Sequence, residues 1–115
     1  MIKIVQIEVS KKGEMGIPEE LLEGIAIGKH VYFDCNGDSD ERVKIYFTEP
    51  PQIEVEEIRI KKDKRAKKFK IIVPEKAMDS RSFYYFPKDR KVNLVLVKQH
   101  IVILPGKERD ETWEF

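Results

Sequence analysis

Apolar and polar residues alternate through Ile2-Lys3-Ile4-Val5-Gln6-Ile7-Glu8-Val9, the period of a half-buried strand. Lys11-Lys12-Gly13-Glu14 follows as a turn, with glycine available for a positive φ. Met15-Gly16-Ile17 is a short apolar run. Pro18, Glu19 and Glu20 then fit a helix start, because proline suits the first helical position and acids suit the first turn. Leu21, Leu22 and Ile25 supply one apolar face for that helix, and Gly24 or Gly28 can end it. Val31-Tyr32-Phe33 and Val43-Lys44-Ile45-Tyr46-Phe47 read as strands on either side of a turn-rich acidic loop that contains Asn36-Gly37.

Glu49-Pro50-Pro51 breaks the pattern, since consecutive prolines fit neither a helix interior nor a central strand. A similar order then recurs. Ile53-Glu54-Val55 and Ile58-Arg59-Ile60 alternate, and residues 61–68 form a polar turn region. Phe69-Lys70-Ile71-Ile72-Val73 is apolar and leads to Pro74-Glu75-Lys76-Ala77-Met78, a short helical start. Phe83-Tyr84-Tyr85-Phe86, residues 92–97 and Ile101-Val102-Ile103-Leu104 read as strands before Pro105-Gly106 ends the regular part.

Laid over each other, the two passes match Lys11-Lys12 with Lys67-Lys68 and Ile17-Pro18-Glu19 with Val73-Pro74-Glu75. They also match residues 30–33 with residues 83–86. The expectation is a mainly β fold built from two diverged ββαββ-like units in one chain. The half-units span 2–48 and 53–104 of a single domain, 1–104, and 105–115 is a C-terminal tail.

Composition narrows the function classes. Of 115 residues, 41% are hydrophobic and 37% charged, so a modest core is affordable under a heavily charged surface. No apolar run is long enough to span a membrane. Cys35 alone cannot form an internal disulfide, and the first residues carry no export pattern, so a reducing cytoplasm is expected. A Lys/Glu/Ile-rich, Gln-poor composition fits a thermophile. The net charge of +1 hides a split: residues 1–57 carry −7 and residues 58–115 carry +8. The two halves therefore either attract each other or offer a basic half to an acidic partner.

The run Lys12-Gly13-Glu14-Met15-Gly16-Ile17-Pro18-Glu19-Glu20-Leu21 resembles the signature of the SpoVT/AbrB-type swapped-hairpin family. There a turn glycine leads into a short strand ending in Ile-Pro, and a helix follows. Residues 25–33 are similar to that family's next stretch. The resemblance covers residues 3–47 and, in a second copy, 58–97, which would be the tandem arrangement of the MraZ-like members. It implies a small swapped-hairpin β-barrel with short helices, and a DNA-binding transcriptional regulator or antitoxin-like protein. The first copy departs from the pattern: Glu19, Glu20 and Glu23 lie on its helix, and residues 1–28 contain no arginine. The family role would then rest on the second copy.

Seven of the ten residues 61–70 are basic: Lys61, Lys62, Lys64, Arg65, Lys67, Lys68 and Lys70. They match the position of the family's DNA-contacting hairpin, and the resemblance places Lys11 and Lys12 of the first turn beside them. Phosphate contact needs a dense cationic surface, and lysine suits backbone docking better than base readout. The bland alternative is a solvated hairpin tip whose lysines blunt a sheet edge. Residues 83–86 lie near Arg81, Lys88, Arg90 and Lys91, and aromatics among cations can stack bases, but alternation in a strand lets only one pair face outward and packs the other in the core, which is the favoured reading. Trp113 and Phe115 in the tail offer aromatic anchors for a protein partner, which gives a second functional reading: an interaction module using the acidic half and this tail.

Other chemistry is thin. Asp34, Asn36 and Asp38 begin like a calcium loop, but Ser39 and Ile45 stand where glycine and glutamate are needed. Cys35, His30 and His100 have neither nucleophile nor metal-ligand spacing. The expectation is a protein without catalytic residues, metal or cofactor, whose partners are duplex DNA or a protein. It would be a monomer or a homodimer.

Overall fold

The alternating segments form strands, and the strands assemble into two antiparallel sheets. The computed structural model describes residues 3–35, 42–51, 53–78, 81–83 and 90–106. The strands are β1 (Lys3–Glu8), β2 (Glu14–Pro18), β3 (His30–Asp34), β4 (Lys44–Tyr46), β5 (Glu56–Arg59), β6 (Lys61–Asp63), β7 (Lys68–Ile72), β8 (Lys91–Val97) and β9 (His100–Pro105). The larger sheet has the order β1-β8-β9-β4-β3-β5 and the smaller one β2-β7-β6. The fold is mainly β, as expected. The sheets do not close into a barrel, because β1 and β5 remain the two edges of the larger sheet.

The pairing has a twofold pattern. Exchanging β1 with β5, β8 with β3 and β9 with β4 leaves the order of the larger sheet unchanged. The first strand of each half thus pairs with the strand that follows the other half's helical segment: β1 with β8, and β5 with β3. Backbone hydrogen bonds repeat the relation. Val9 N–H donates to Arg90 C=O at 2.8 Å, and Ile60 N–H donates to Lys29 C=O at 2.9 Å. In the smaller sheet β2 and β7 pair with each other, and Met15 faces Ile71 directly.

This pairing corrects one sequence overlay. The counterpart of residues 30–33 in the second half is β8, not residues 83–86. Phe83 ends a single 3-10 turn, Arg81–Phe83, and is buried; residues 84–86 lie outside the described residues. Ser82 fixes this turn to the sheet: its hydroxyl donates to Ile103 C=O at 2.6 Å and accepts Val43 N–H at 2.8 Å.

The expected first helix is also reduced to one 3-10 turn, Glu19–Leu22. Glu23 already has extended backbone (φ −56°, ψ 131°), and Gly24 takes φ +82°. Leu21 and Leu22 are adjacent and both buried, which a helical stripe spaced by three or four would not require. The second half has one α-helical turn, α1 (Glu75–Met78), that buries Ala77.

The core lies between the sheets. The inner face of the smaller sheet contributes Met15, Ile17 and Ile71, and the larger sheet contributes Phe33, Ile45, Leu94, Ile101 and Ile103, all at most 2% exposed. Burying each such side chain contributes about 1.5–3 kcal/mol. Val95, Val102 and Leu104 form a smaller cluster on the other face of the larger sheet. The regular part extends past its expected end: Pro105 is in β9, and Gly106 N–H donates to Lys91 C=O.

Candidate nucleic-acid interface

The region expected to be a polar turn contains a strand. Lys61, Lys62 and Asp63 pair with Lys70, Phe69 and Lys68, so β6 and β7 form a hairpin with residues 64–67 as its loop. A run this polar forms a strand because it caps the open edge of β7, whose other edge is taken by β2. The hairpin is also an enlarged version of its counterpart. Residues 10–17 connect Val9 to Pro18, whereas residues 61–73 connect the equivalent Ile60 to Pro74, five residues more. All seven cations of the basic run lie in this longer segment.

Alternation divides them between faces. Ile17, Phe69 and Ile71 point toward the core side together with Lys62, whose ammonium lies 5.8 Å from the centre of the Phe69 ring. Lys61, Asp63, Lys68 and Lys70 share the outer face. Lys68 crosses Gly16 there, so closely that a Cβ at Gly16 would stand 3.0 Å from the Lys68 Cδ. Lys64, Arg65 and Lys67 occupy the loop. All of these cations are exposed except the half-buried Lys70.

Two of the seven have acidic partners. Lys62 Nζ lies 3.1 Å from Glu19 Oε1. Lys70 Nζ lies 3.3 Å from Asp63 Oδ2 and 3.9 Å from Glu14 Oε1. Lys61, Lys64, Arg65, Lys67 and Lys68 have no carboxylate partner among the described residues. An open groove of about 650 Å³ runs beside the loop, with Glu19, Glu20 and Glu23 on one wall and Ala66, Lys67 and Lys68 on the other. The acids of the 3-10 turn therefore bound the cationic surface on one side.

The loop is held from within. Asp63 Oδ1 accepts the N–H of Arg65 and of Ala66, both at 3.1 Å. Those bonds, first that from Ala66, and then Lys70 beside it, keep the Asp63 carboxyl below its usual range. Lys67 takes φ +53°, and its carbonyl accepts the Glu19 N–H at 3.0 Å. Asp63 did not emerge as a site residue from the sequence, although an aspartate opening a loop before Lys-Arg is a known turn-forming signal.

Lys11 and Lys12 are not beside this loop. β2 and β7 run antiparallel, with Gly13 C=O bonded by Val73 N–H at one end and Glu19 N–H bonded to Lys67 C=O at the other. The six-residue span between them places the two turns about 20 Å apart, at opposite ends of the smaller sheet. The first turn is smaller: Ser10 C=O accepts Gly13 N–H, and Ser10 Oγ accepts Glu14 N–H.

The remaining candidates do not join the hairpin. Tyr46 and His100 are opposite in register and stack at 5.2 Å between ring centroids. Cys35 is half-buried, and burial, with Glu56 and Asp34 nearby, pushes its thiol up to about 11. No group of three potential metal ligands occurs among the described residues. No described helix is long and apolar enough to cross a membrane. Trp113 and Phe115 lie outside the described residues, as do residues 36–41 of the acidic loop. In comparisons with known proteins, no family model, curated protein or solved structure matched the chain.

Proposed function

We propose that this chain docks on duplex DNA through the β6–β7 hairpin, as a transcriptional regulator or antitoxin-type module working in the cytoplasm. One observation carries the reading: Lys61, Lys64, Arg65, Lys67 and Lys68 are gathered on one hairpin, exposed, and without carboxylate partners among the described residues. Cations without protein partners are free to replace the counterions of a phosphate backbone. Lysines outnumber arginine four to one among these five, so most of the affinity comes from phosphates and little from base edges. The first turn, with two lysines at the far end of the sheet, is outside the contact.

Alanine at Lys64, Arg65, Lys67 and Lys68 together tests the reading in a duplex-binding titration. Binding should disappear, while alanine at Lys11 and Lys12 should change it by less than about twofold, as expected for charges more than a Debye length away. Equal losses in the two variants would overturn the assignment of the hairpin. The acidic half and the carboxyl-terminal tail offer the rival reading, a protein-interaction module, which predicts partner binding that survives the fourfold substitution and is lost when residues 107–115 are deleted.

A further inference from the structure

Among the seven cations of the basic run stands one acid, Asp63, and a purely electrostatic interface would be better without it. We infer that Asp63 is a positioning residue: its carboxylate holds the loop in the one shape that presents Lys64, Arg65 and Lys67 to consecutive phosphates. This inference rests on the proposed DNA reading. The observations are geometric. One oxygen of Asp63 accepts two successive backbone N–H groups, those of Arg65 and Ala66, each at 3.1 Å. The other oxygen lies 3.3 Å from Lys70 Nζ, which anchors the carboxylate to the central strand. Lys70 is itself 3.9 Å from Glu14 on β2, so the clamp spans all three strands of the smaller sheet.

The far side of the loop is fixed by different atoms. Lys67 C=O accepts Glu19 N–H, which carries the β2–β7 ladder into the loop itself. Only Lys64, Arg65 and Ala66 then lie beyond the last ladder bond. Asp63 contacts the backbone of two of those three residues. Without it, Lys64 and Arg65 would be carried on a segment with no backbone hydrogen bond from the rest of the hairpin. Ordering that segment at the moment of binding would cost affinity, because a preformed loop loses less conformational freedom on docking.

The two accounts of Asp63 predict opposite signs. If it is only a misplaced negative charge, removing it raises affinity for a polyanion. If it positions the loop, removing the acceptor lowers affinity even though the surface becomes more basic. Asparagine separates them, because Asp63→Asn keeps an oxygen acceptor and a strong turn preference while deleting the charge.

The experiment compares wild type, Asp63→Ala and Asp63→Asn by fluorescence-anisotropy titration against a mixed-sequence 20-base-pair duplex in 50–200 mM KCl. Asp63→Ala should bind about fivefold to tenfold more weakly than wild type and show a shallower salt slope. Asp63→Asn should bind at least as tightly as wild type. Tighter binding by both variants would overturn the inference and leave the DNA reading standing. Absence of binding by wild type at 50 mM would overturn the DNA reading itself. A DNA-free arm then decides the hold on the loop. Amide hydrogen exchange at Arg65 and Ala66 should accelerate at least tenfold in Asp63→Ala and stay near wild type in Asp63→Asn. Unchanged exchange in both variants would overturn the inference.

Discussion

Met15 lies directly opposite Ile71 at the centre of the β2–β7 pair, and the two are also equivalent when Pro18 is laid on Pro74. The point about which the two halves are related therefore falls between two side chains at most 2% exposed. Each half supplies one strand of the same core wall at this point. Alanine at either residue should cost about 2–5 kcal/mol, the usual range for truncating a buried aliphatic side chain. The double variant should depart from additivity, because contacting residues share one cavity. Urea unfolding of the four proteins measures both quantities.

Gly106 is constrained by a close backbone approach rather than by its φ. A Cβ there would stand 2.5 Å from the Lys91 carbonyl oxygen that accepts the Gly106 N–H. Its own carbonyl accepts the Gln6 Nε2–H at 3.0 Å, which ties β1 to the end of β9. Gly106→Ala should lower stability by about 1–3 kcal/mol through backbone displacement. Thermal unfolding of this one variant is the check, and an unchanged midpoint would mean the chain end yields without cost.

The β8–β9 hairpin turns through Lys98 and Gln99, with Val97 opposite His100. Lys98 takes φ +58°, a conformation glycine adopts without penalty and lysine does not. Lys98→Gly should raise stability by about 0.5–1 kcal/mol. An unaltered or lower unfolding midpoint would show that the turn carries no such strain.

The same substitution bears on a titration. Burial first, and then Lys44 and Lys98, hold the His100 imidazole below its ordinary 6.5. The unfolded chain therefore takes up this proton at higher pH than the folded one. Stability linked to His100 is present above about pH 6.5 and falls as the pH drops through that window. His100→Gln should lose less stability than wild type between pH 7.5 and pH 5.5, and Lys98→Gly should move the His100 titration upward. Proton NMR of the imidazole follows the second effect directly.

Cys35 should be a poor nucleophile. A thiol at about 11 rather than 9.0 holds roughly a hundredfold less thiolate near pH 8. Alkylation by iodoacetamide should be slow in the folded protein and fast in urea. A rate equal to that of a free thiol would contradict the burial assigned to it.

Much of this fold was legible because alternation is a direct imprint of a sheet with one buried face. The segments read as β1, β3, β4, β8 and β9 all pair within one or two residues of the expected limits. The rest failed for physical reasons. Pro18-Glu19-Glu20 is a good helix start, but a start cannot propagate into Gly24 at φ +82°, and a single turn gains too little to nucleate a helix. Lys61-Lys62-Asp63 has no apolar period, and its strand is imposed by the open edge of β7. The basic cluster was visible as composition. Its separation from Lys11 and Lys12 was not, because antiparallel pairing of the two halves sends their turns to opposite ends. Asp63 was hidden for a similar reason: its role depends on Lys70, a residue across the strand pair.

The most direct test of the account is the salt dependence of wild-type binding to a mixed-sequence duplex. Five cations replacing counterions predict a slope of log K against log salt of about −4.5, and a loss of affinity of roughly two to three orders of magnitude between 50 and 200 mM. That slope would support phosphate docking by the β6–β7 hairpin. No binding at 50 mM, or binding indifferent to salt, would contradict it.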